Sequence, residues 1–186
     1  MTSKPDQILN ATRDLIFEQG LQSTSMSQIT KRAGVGMGTV YNYFGRKEDL
    51  INGLYCELKM AMSEYILRDY DANQPIIERF LQVCRHLAYY GLRYPKEFQI
   101  IEQLTYSPYI HTTLKERDFG LHSEFEQLFA DAQAQRMIKD LPFEMVGQLI
   151  YGALSGLVRG HVAGKLVLDD DLIEKGVEAC WDAVKR

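Results

Sequence analysis

S-M-S-Q-I-T-K-R-A-G-V-G-M-G-T-V-Y-N-Y-F-G-R-K-E-D-L, residues Ser25 to Leu50, is the stretch that decides the fold. It reads as a short helix, a glycine turn, a second short helix and the start of a third, the order a helix-turn-helix needs to place one helix in a DNA major groove. Ser25 and Gln28 have the three-residue spacing of a capping box. Ile29 and Ala33 share one face. Gly34 suits a left-handed stop, which only a residue without Cβ adopts cheaply. In the next helix Val40 and Phe44 are spaced to face inward. Met37, Thr39, Asn42 and Tyr43 are then left outward. Glu48 and Asp49 suit the N-terminus of the helix that follows, whose free N–H groups can also hold a phosphate.

Working outward, Ile8, Ala11, Leu15 and Ile16 mark a first helix that ends at Gly20. Gln19 to Lys47 contains no Asp or Glu but includes Lys31, Arg32, Arg46 and Lys47. The whole chain of 186 residues carries a formal charge of −4. An acidic protein with one basic segment suits local contact with phosphates rather than coating of nucleic acid. The glycines at Gly34, Gly36 and Gly38 do not form a dinucleotide loop, because they follow a capped helix and not a strand.

Ile29–Val35, Gly38–Phe44 and Lys47–Leu50, with the first helix before them, resemble the DNA-binding domain of the TetR family of transcriptional regulators. Two positions depart from that pattern. Thr30 stands where the family usually has Ala, and Gly36 stands where it often has a capping Ser. The resemblance implies phosphate contacts from Tyr41 and Lys47, with Thr39 near both backbone and base edges and Ser25 at a phosphate. It places Met37, Gly38, Asn42 and Tyr43 where bases are read. Asn42 has the two-pronged chemistry that pairs with adenine, and Met37 can pack on a thymine methyl. Tyr43 has two readings, base contact or packing on the sugar-phosphate backbone.

Beyond residue 50 the periodicity predicts helix after helix, with no strand and no long uncharged apolar run. The expected fold is all-α, about nine helices in total. Residues 1–47 form the DNA-binding domain and 48–186 a ligand-binding and dimerisation domain. A fourth helix is expected over 47–70, with a stripe through Leu50, Leu54, Leu58, Ala61 and Tyr65. Five more are expected over 75–94, from 95 to about 107, over 112–136, from 142 to about 166 and from 169 to about 185. Gly152, Gly156, Gly160 and Gly164 recur every four residues in the eighth. Glycines inside a helix cost about 1 kcal/mol each against alanine, which points to close approach of another helix. That approach is either packing within one subunit or, as the resemblance implies, a homodimer interface made by the last two helices, with Trp181 part of it. A dimer would read a near-palindromic operator with half-sites about 34–36 Å apart.

The middle of the chain is rich in aromatic residues. Tyr65, His86, Tyr90, Phe98, Gln103, Tyr106, His122, Phe125 and Tyr151 can line a pocket for the small-molecule inducer that the resemblance implies, and the same aromatics can equally be core. No cofactor is expected, and the four His lack metal-ligand spacing. G-A-L-S-G at Gly152 to Gly156 lacks the order of a nucleophile elbow, so no enzyme activity is expected. The start of the chain has no secretory core, and Cys56, Cys84 and Cys180 read as reduced thiols, both consistent with a cytoplasmic protein. The resemblance therefore implies a repressor released by a ligand. Two alternatives remain: a DNA-bound organising factor that holds a protein partner, and a helical binder with a vestigial DNA unit.

Overall fold

The computed structural model describes residues 3–186, which form ten helices and no strand, with one isolated antiparallel bridge between Ile138 and Lys185. The helices are α1 (Lys4–Gln19), α2 (Met26–Ala33), α3 (Met37–Phe44), α4 (Lys47–Ile66), α5 (Ile76–Arg93), α6 (Pro95–Thr105), α7 (Thr112–Lys115), α8 (Leu121–Ala134), α9 (Phe143–Val162) and α10 (Asp170–Val184). The all-α expectation holds. The count is ten because the helix expected over 112–136 is broken. Gly120, at φ +92°, donates its N–H to Asp118 Oδ1, and α8 starts afresh from there. α4 also stops earlier than expected, at Ile66, ahead of a turn in which Asp69 has φ +59°.

The chain packs as two compact units. The first comprises the chain up to Ala61 together with Lys96–Arg117. Its reading end has a core of Ile8, Leu15, Ile29, Val40 and Leu50, flanked by Leu9, Met26, Ala33, Val35 and Phe44. Four of these are fully buried (Ile8, Ile29, Val40 and Leu50), and each contributes about 1.5–3 kcal/mol by leaving water. The second unit comprises Met62–Pro95 and Asp118–Arg186. There α5 is the central element and packs against α8, α9 and α10.

The buried stripe of α4 runs through Leu50, Leu54, Leu58, Met62 and Ile66, a strict four-residue repeat. Ala61 is exposed and Tyr65 half-buried, so the expected stripe drifts off the true one after Leu58.

The four-residue glycine series on α9 divides into separate jobs. A Cβ on Gly160 would meet Leu166 Cδ2 at 2.7 Å, so that glycine admits the chain turning back after the helix. Gly164 is not inside the helix. It lies beyond the last turn at φ +68°, donating to His161 O, while Lys165 N–H reaches Gly160 O. This is the Schellman stop that favours glycine. Gly152 has open space where a Cβ would go, and Gly156 meets nothing closer than its own neighbour Arg159. The close approach within the second unit is made elsewhere, at Gly176 of α10, where a Cβ would sit 2.9 Å from Leu157 of α9.

Candidate nucleic-acid interface

The reading unit is held in shape at its ends. Ser25 Oγ accepts from Gln28 N–H at 3.3 Å, and Gln28 Oε1 accepts from Ser25 N–H at 2.8 Å, which completes the capping box of α2. At the other end Gly34 adopts φ +66°, ψ +32°. Its N–H reaches Lys31 O, and Val35 N–H reaches Thr30 O. Val35 then packs on the core that contains Ile29. Thr30 is accommodated because its hydroxyl donates to Ser27 O at 2.8 Å.

α3 begins at Gly36 without a side-chain cap and ends at Gly45, φ +61°. Val40 is its one buried residue, with Phe44 half-buried against the same core. Anchoring on one face leaves the other open. Met37, Gly38, Tyr41, Asn42 and Tyr43 are exposed and Thr39 is half-buried. Tyr41 and Tyr43 are 49% and 52% exposed, far more than aromatic rings kept for packing would be. Ser25 is exposed beside this surface in sequence, at the start of α2.

Lys47 is half-buried at the first turn of α4. Its Nζ donates to Leu21 O at 3.3 Å and lies 5.4 Å from the centre of the Tyr109 ring. The carbonyl and the ring face orient the ammonium without neutralising it, so its charge stays available to a phosphate. Asn52, one turn and a half further along α4, holds the segment that carries Tyr109. Its Nδ2 donates to Tyr109 O at 2.9 Å and its Oδ1 accepts from His111 N–H at 3.1 Å. Sequence reading missed Tyr109 and Asn52 because their partners lie more than fifty residues away along the chain.

The basic segment is less free than its sequence suggests. Arg32 makes a two-pronged pair with Glu18 at 2.9 and 2.7 Å, which lowers the Glu18 pKa chiefly through that hydrogen bond. Arg46 lies 3.5 Å from Asp49, whose carboxylate also accepts Arg46 N–H and so caps α4. Of the four cations in this segment, Lys31 and Lys47 are the two that make no ion pair among the described residues.

The residues expected to line a pocket fall in separate surroundings. In the second unit Tyr65 packs edge-on against Tyr90 at 5.5 Å and lies 6.4 Å from His86, whose Nδ1 is 2.8 Å from Ile66 O at the end of α4. His122 and Phe125 both pack on Phe143, at 5.1 and 6.0 Å. Phe125 also adjoins an apolar cavity of about 10 Å³ beside Phe80, Phe129 and Trp181, at the threshold for a single water molecule. Trp181, expected at a dimer interface, is half-buried with its ring 5.1 Å from Phe80. Tyr151 is half-buried on α9. In the first unit Phe98 is buried, Gln103 lies exposed near Gly20, and Tyr106 is 74% exposed.

Among the described residues no group of His, Cys, Asp and Glu could hold a metal ion, and no helix is long and apolar enough to cross a membrane.

Comparison with known proteins agrees with this geometry. Residues 8–54 match the family model of bacterial regulatory proteins of the tetR family, and residues 75–185 match that of the tetracyclin repressor-like C-terminal domain. An uncharacterised HTH-type transcriptional regulator of Haemophilus influenzae is 22% identical over 185 residues, covering 100% of this chain and 97% of the relative. A putative transcriptional regulator of the TetR family from Vibrio parahaemolyticus superposes with a TM-score of 0.86 at 27% identity, over 99% of both chains. A TetR family transcription regulator from Marinobacter aquaeolei VT8 superposes with a TM-score of 0.90 at 23% identity, over 98% of this chain and 95% of that one. Two family models that together take in the reading unit and most of the remaining helices leave one assignment: the chain belongs to the TetR family of helix-turn-helix transcriptional regulators, a family of regulators and not of enzymes.

Proposed function

We propose that the protein is a cytoplasmic homodimeric repressor that binds a near-palindromic operator through residues 1–47 and is released by a small molecule bound within residues 48–186. The observation that carries the DNA half of this reading is α3. It is anchored by buried Val40 and half-buried Phe44 and presents Met37, Tyr41, Asn42 and Tyr43 to solvent. Asn42 and Met37 contact base edges, and Gly38 lets the backbone approach. Tyr41, Lys47, Thr39 and Ser25 hold phosphates, and Tyr43 lies at the edge of the groove.

The dimer half is supported by α9. Met145, Leu149, Gly152, Ala153 and Gly156 follow helical spacing along one side, and Met145 and Leu149 are 50% and 48% exposed. An apolar stripe with glycine at its centre, open to solvent, fits a helix of a second copy. Release by a ligand requires that the ligand prefer the conformation that does not bind DNA.

A shift assay on the DNA upstream of the protein's own gene, run across a salt series, tests the reading. Affinity should fall steeply with salt, and Lys47→Ala should reduce the slope by about one. Asn42→Ala should cost about 1–3 kcal/mol at one base position only. Salt-independent binding, or none, removes the proposal.

A further inference from the structure

A lysine is a weak phosphate clamp when its long stem is free, because fixing the stem costs rotamer freedom at the moment of binding. Lys47 is not free. Its ammonium has three N–H donors. One is given to Leu21 O at 3.3 Å, and the centre of the Tyr109 ring lies 5.4 Å from Nζ. Two directions are therefore taken by partners without charge, and one donor is left over. Packing alone would be served by any apolar side chain at position 109. A ring face is what draws an ammonium.

The segment that supplies the ring is tied down on both sides of it. Ser107 N–H donates to Leu104 O at 2.8 Å, and Ile110 N–H donates to Ser107 O at 3.3 Å. Ser107 Oγ accepts from Tyr109 N–H at 3.2 Å. Ser107 and Ile110 are buried, with the half-buried tyrosine between them. Asn52, also buried, joins this turn to α4. Its Nδ2 donates to Glu48 O at 2.6 Å and to Tyr109 O at 2.9 Å, and its Oδ1 accepts from His111 N–H at 3.1 Å. Three of the four bonds open to an amide side chain are spent on this one junction. Glu48 follows Lys47 directly, so the bridge runs from the residue beside the lysine to the residue whose ring faces it. Leu21, Lys47, Asn52 and the turn all belong to the first compact unit.

We infer that Tyr109 is a positioning residue for DNA binding, held in place by Asn52. Its ring face and Leu21 O set the Lys47 ammonium before DNA arrives, so that the remaining N–H is the one offered to a phosphate. Neither partner carries charge, so the whole positive charge is kept for the phosphate, where a carboxylate would have cancelled it. The DNA-binding machinery thus draws on a segment far along the chain from the reading helix. The inference rests on the proposed contact between Lys47 and a phosphate.

Fluorescence anisotropy of the full-length protein, across a salt series, tests this on two labelled duplexes. One is the DNA upstream of the protein's own gene and the other has an unrelated sequence, because a phosphate contact acts on both alike. Tyr109→Leu keeps an apolar side chain and removes the ring. It should weaken both duplexes ~3- to 10-fold and lower the salt slope toward that of Lys47→Ala. Tyr109→Phe, the conservative variant, restores the ring face and should rescue binding to within ~2-fold of wild type. In the Lys47→Ala background Tyr109→Leu should have no further effect, an outcome that a merely structural role would not give. Asn52→Ala should repeat the loss seen with Tyr109→Leu, and if it does not fold, the two Tyr109 variants decide. Binding by Tyr109→Leu within ~2-fold of wild type, equal damage from Phe and Leu, or the same loss with and without Lys47 overturns the inference. A folded Asn52→Ala that binds like wild type overturns it too. The failure of the underlying contact looks different. Lys47→Ala that binds both duplexes like wild type removes the phosphate contact itself. A loss in Lys47→Ala with Tyr109→Leu silent keeps that contact and removes Tyr109.

Discussion

α3 and α5 are both helices rich in aromatic residues, but they are held by opposite means. α3 buries one of its eight residues and is fixed by glycine at both ends. α5 buries nine of its eighteen, among them Arg79, Phe80, Tyr90 and Gly91, and packs against three other helices. A helix as short as α3 is marginal in water by itself. Its conformation is imposed by the Val40 anchor and by the turns on either side, and the return for so little burial is a face left free to meet DNA. α5 serves as frame, and its aromatics are used up in packing. Exposure in α3 is thus a functional observation, whereas aromatic content in α5 is a packing one.

Truncating each anchor tests that contrast, and the largest effect is expected in the frame. Phe80→Ala removes a ring that touches Trp181 and Phe125 beside an existing cavity. It should cost about 3–5 kcal/mol and lower the thermal midpoint of the whole chain, followed by circular dichroism. Val40→Ala removes two methyl groups and should cost about 1–3 kcal/mol, yet it should abolish specific DNA binding first, since the core it loosens, with Ile8, Leu15, Ile29 and Leu50, is the one that seats the reading helix. If Val40→Ala lowered the midpoint as far as Phe80→Ala without weakening DNA binding, the idea of a separately anchored reader would fail.

The same contrast explains what could be read in advance. The reading unit was legible because its signals are local. The capping box at Ser25 and Gln28, the stop at Gly34 and the spacing of Val40 to Phe44 all act within a few residues, and each appears where expected. Contacts across the chain were not legible. Nothing near Lys47 announces that Leu21 and Tyr109 position it, and nothing near Arg32 announces that Glu18 takes its charge. The glycine series on α9 shows the limit of periodicity, because equal spacing joined residues with different jobs. Gly164 ends the helix and Gly160 clears Leu166, while the glycine that seats α9 on α10, Gly176, lies outside the series.

Backbone demands form the next test. Gly34 sits at φ +66° with open space around it, so a side chain there meets strain but no clash. Gly34→Ala should cost about 1–2 kcal/mol, felt as faster hydrogen exchange in α2 and α3 and hardly at all in α5. Equal loosening of both regions would mean that reader and frame unfold as one.

Acid should act in the other direction, on the frame. The Arg85 hydrogen bonds hold Glu174 below its ordinary value of 4.5, and Asp131 is likewise lowered by Gln127 and Arg79. A carboxyl lowered on folding stabilises fully above its unfolded value and loses that contribution as pH falls through the folded one. The midpoint should therefore be flat at neutral pH and drop below about pH 4.5. Arg85→Met should flatten part of that drop, with a loss at neutral pH below about 1 kcal/mol, as for pairs open to water. An acid limb identical in the variant would take Arg85 out of the account.

The smallest effect is the most telling for α3. Gly36 caps this helix with no side-chain acceptor, and a Cβ there would approach nothing closer than Thr39 Oγ1 at 4.0 Å. Gly36→Ser adds a hydroxyl that can accept from the free N–H groups of the first turn, a gain of a few tenths of a kcal/mol. In a helix packed on all sides the change would pass unnoticed. In α3, where one residue is buried, it should measurably slow hydrogen exchange at Thr39 and Val40. If the loose start is used to fit the groove, the same substitution should weaken operator binding even as it steadies the helix. A serine that steadies α3 and also tightens DNA binding would show instead that the bare cap is a plain loss of stability, and that the freedom of the reading helix does not depend on it.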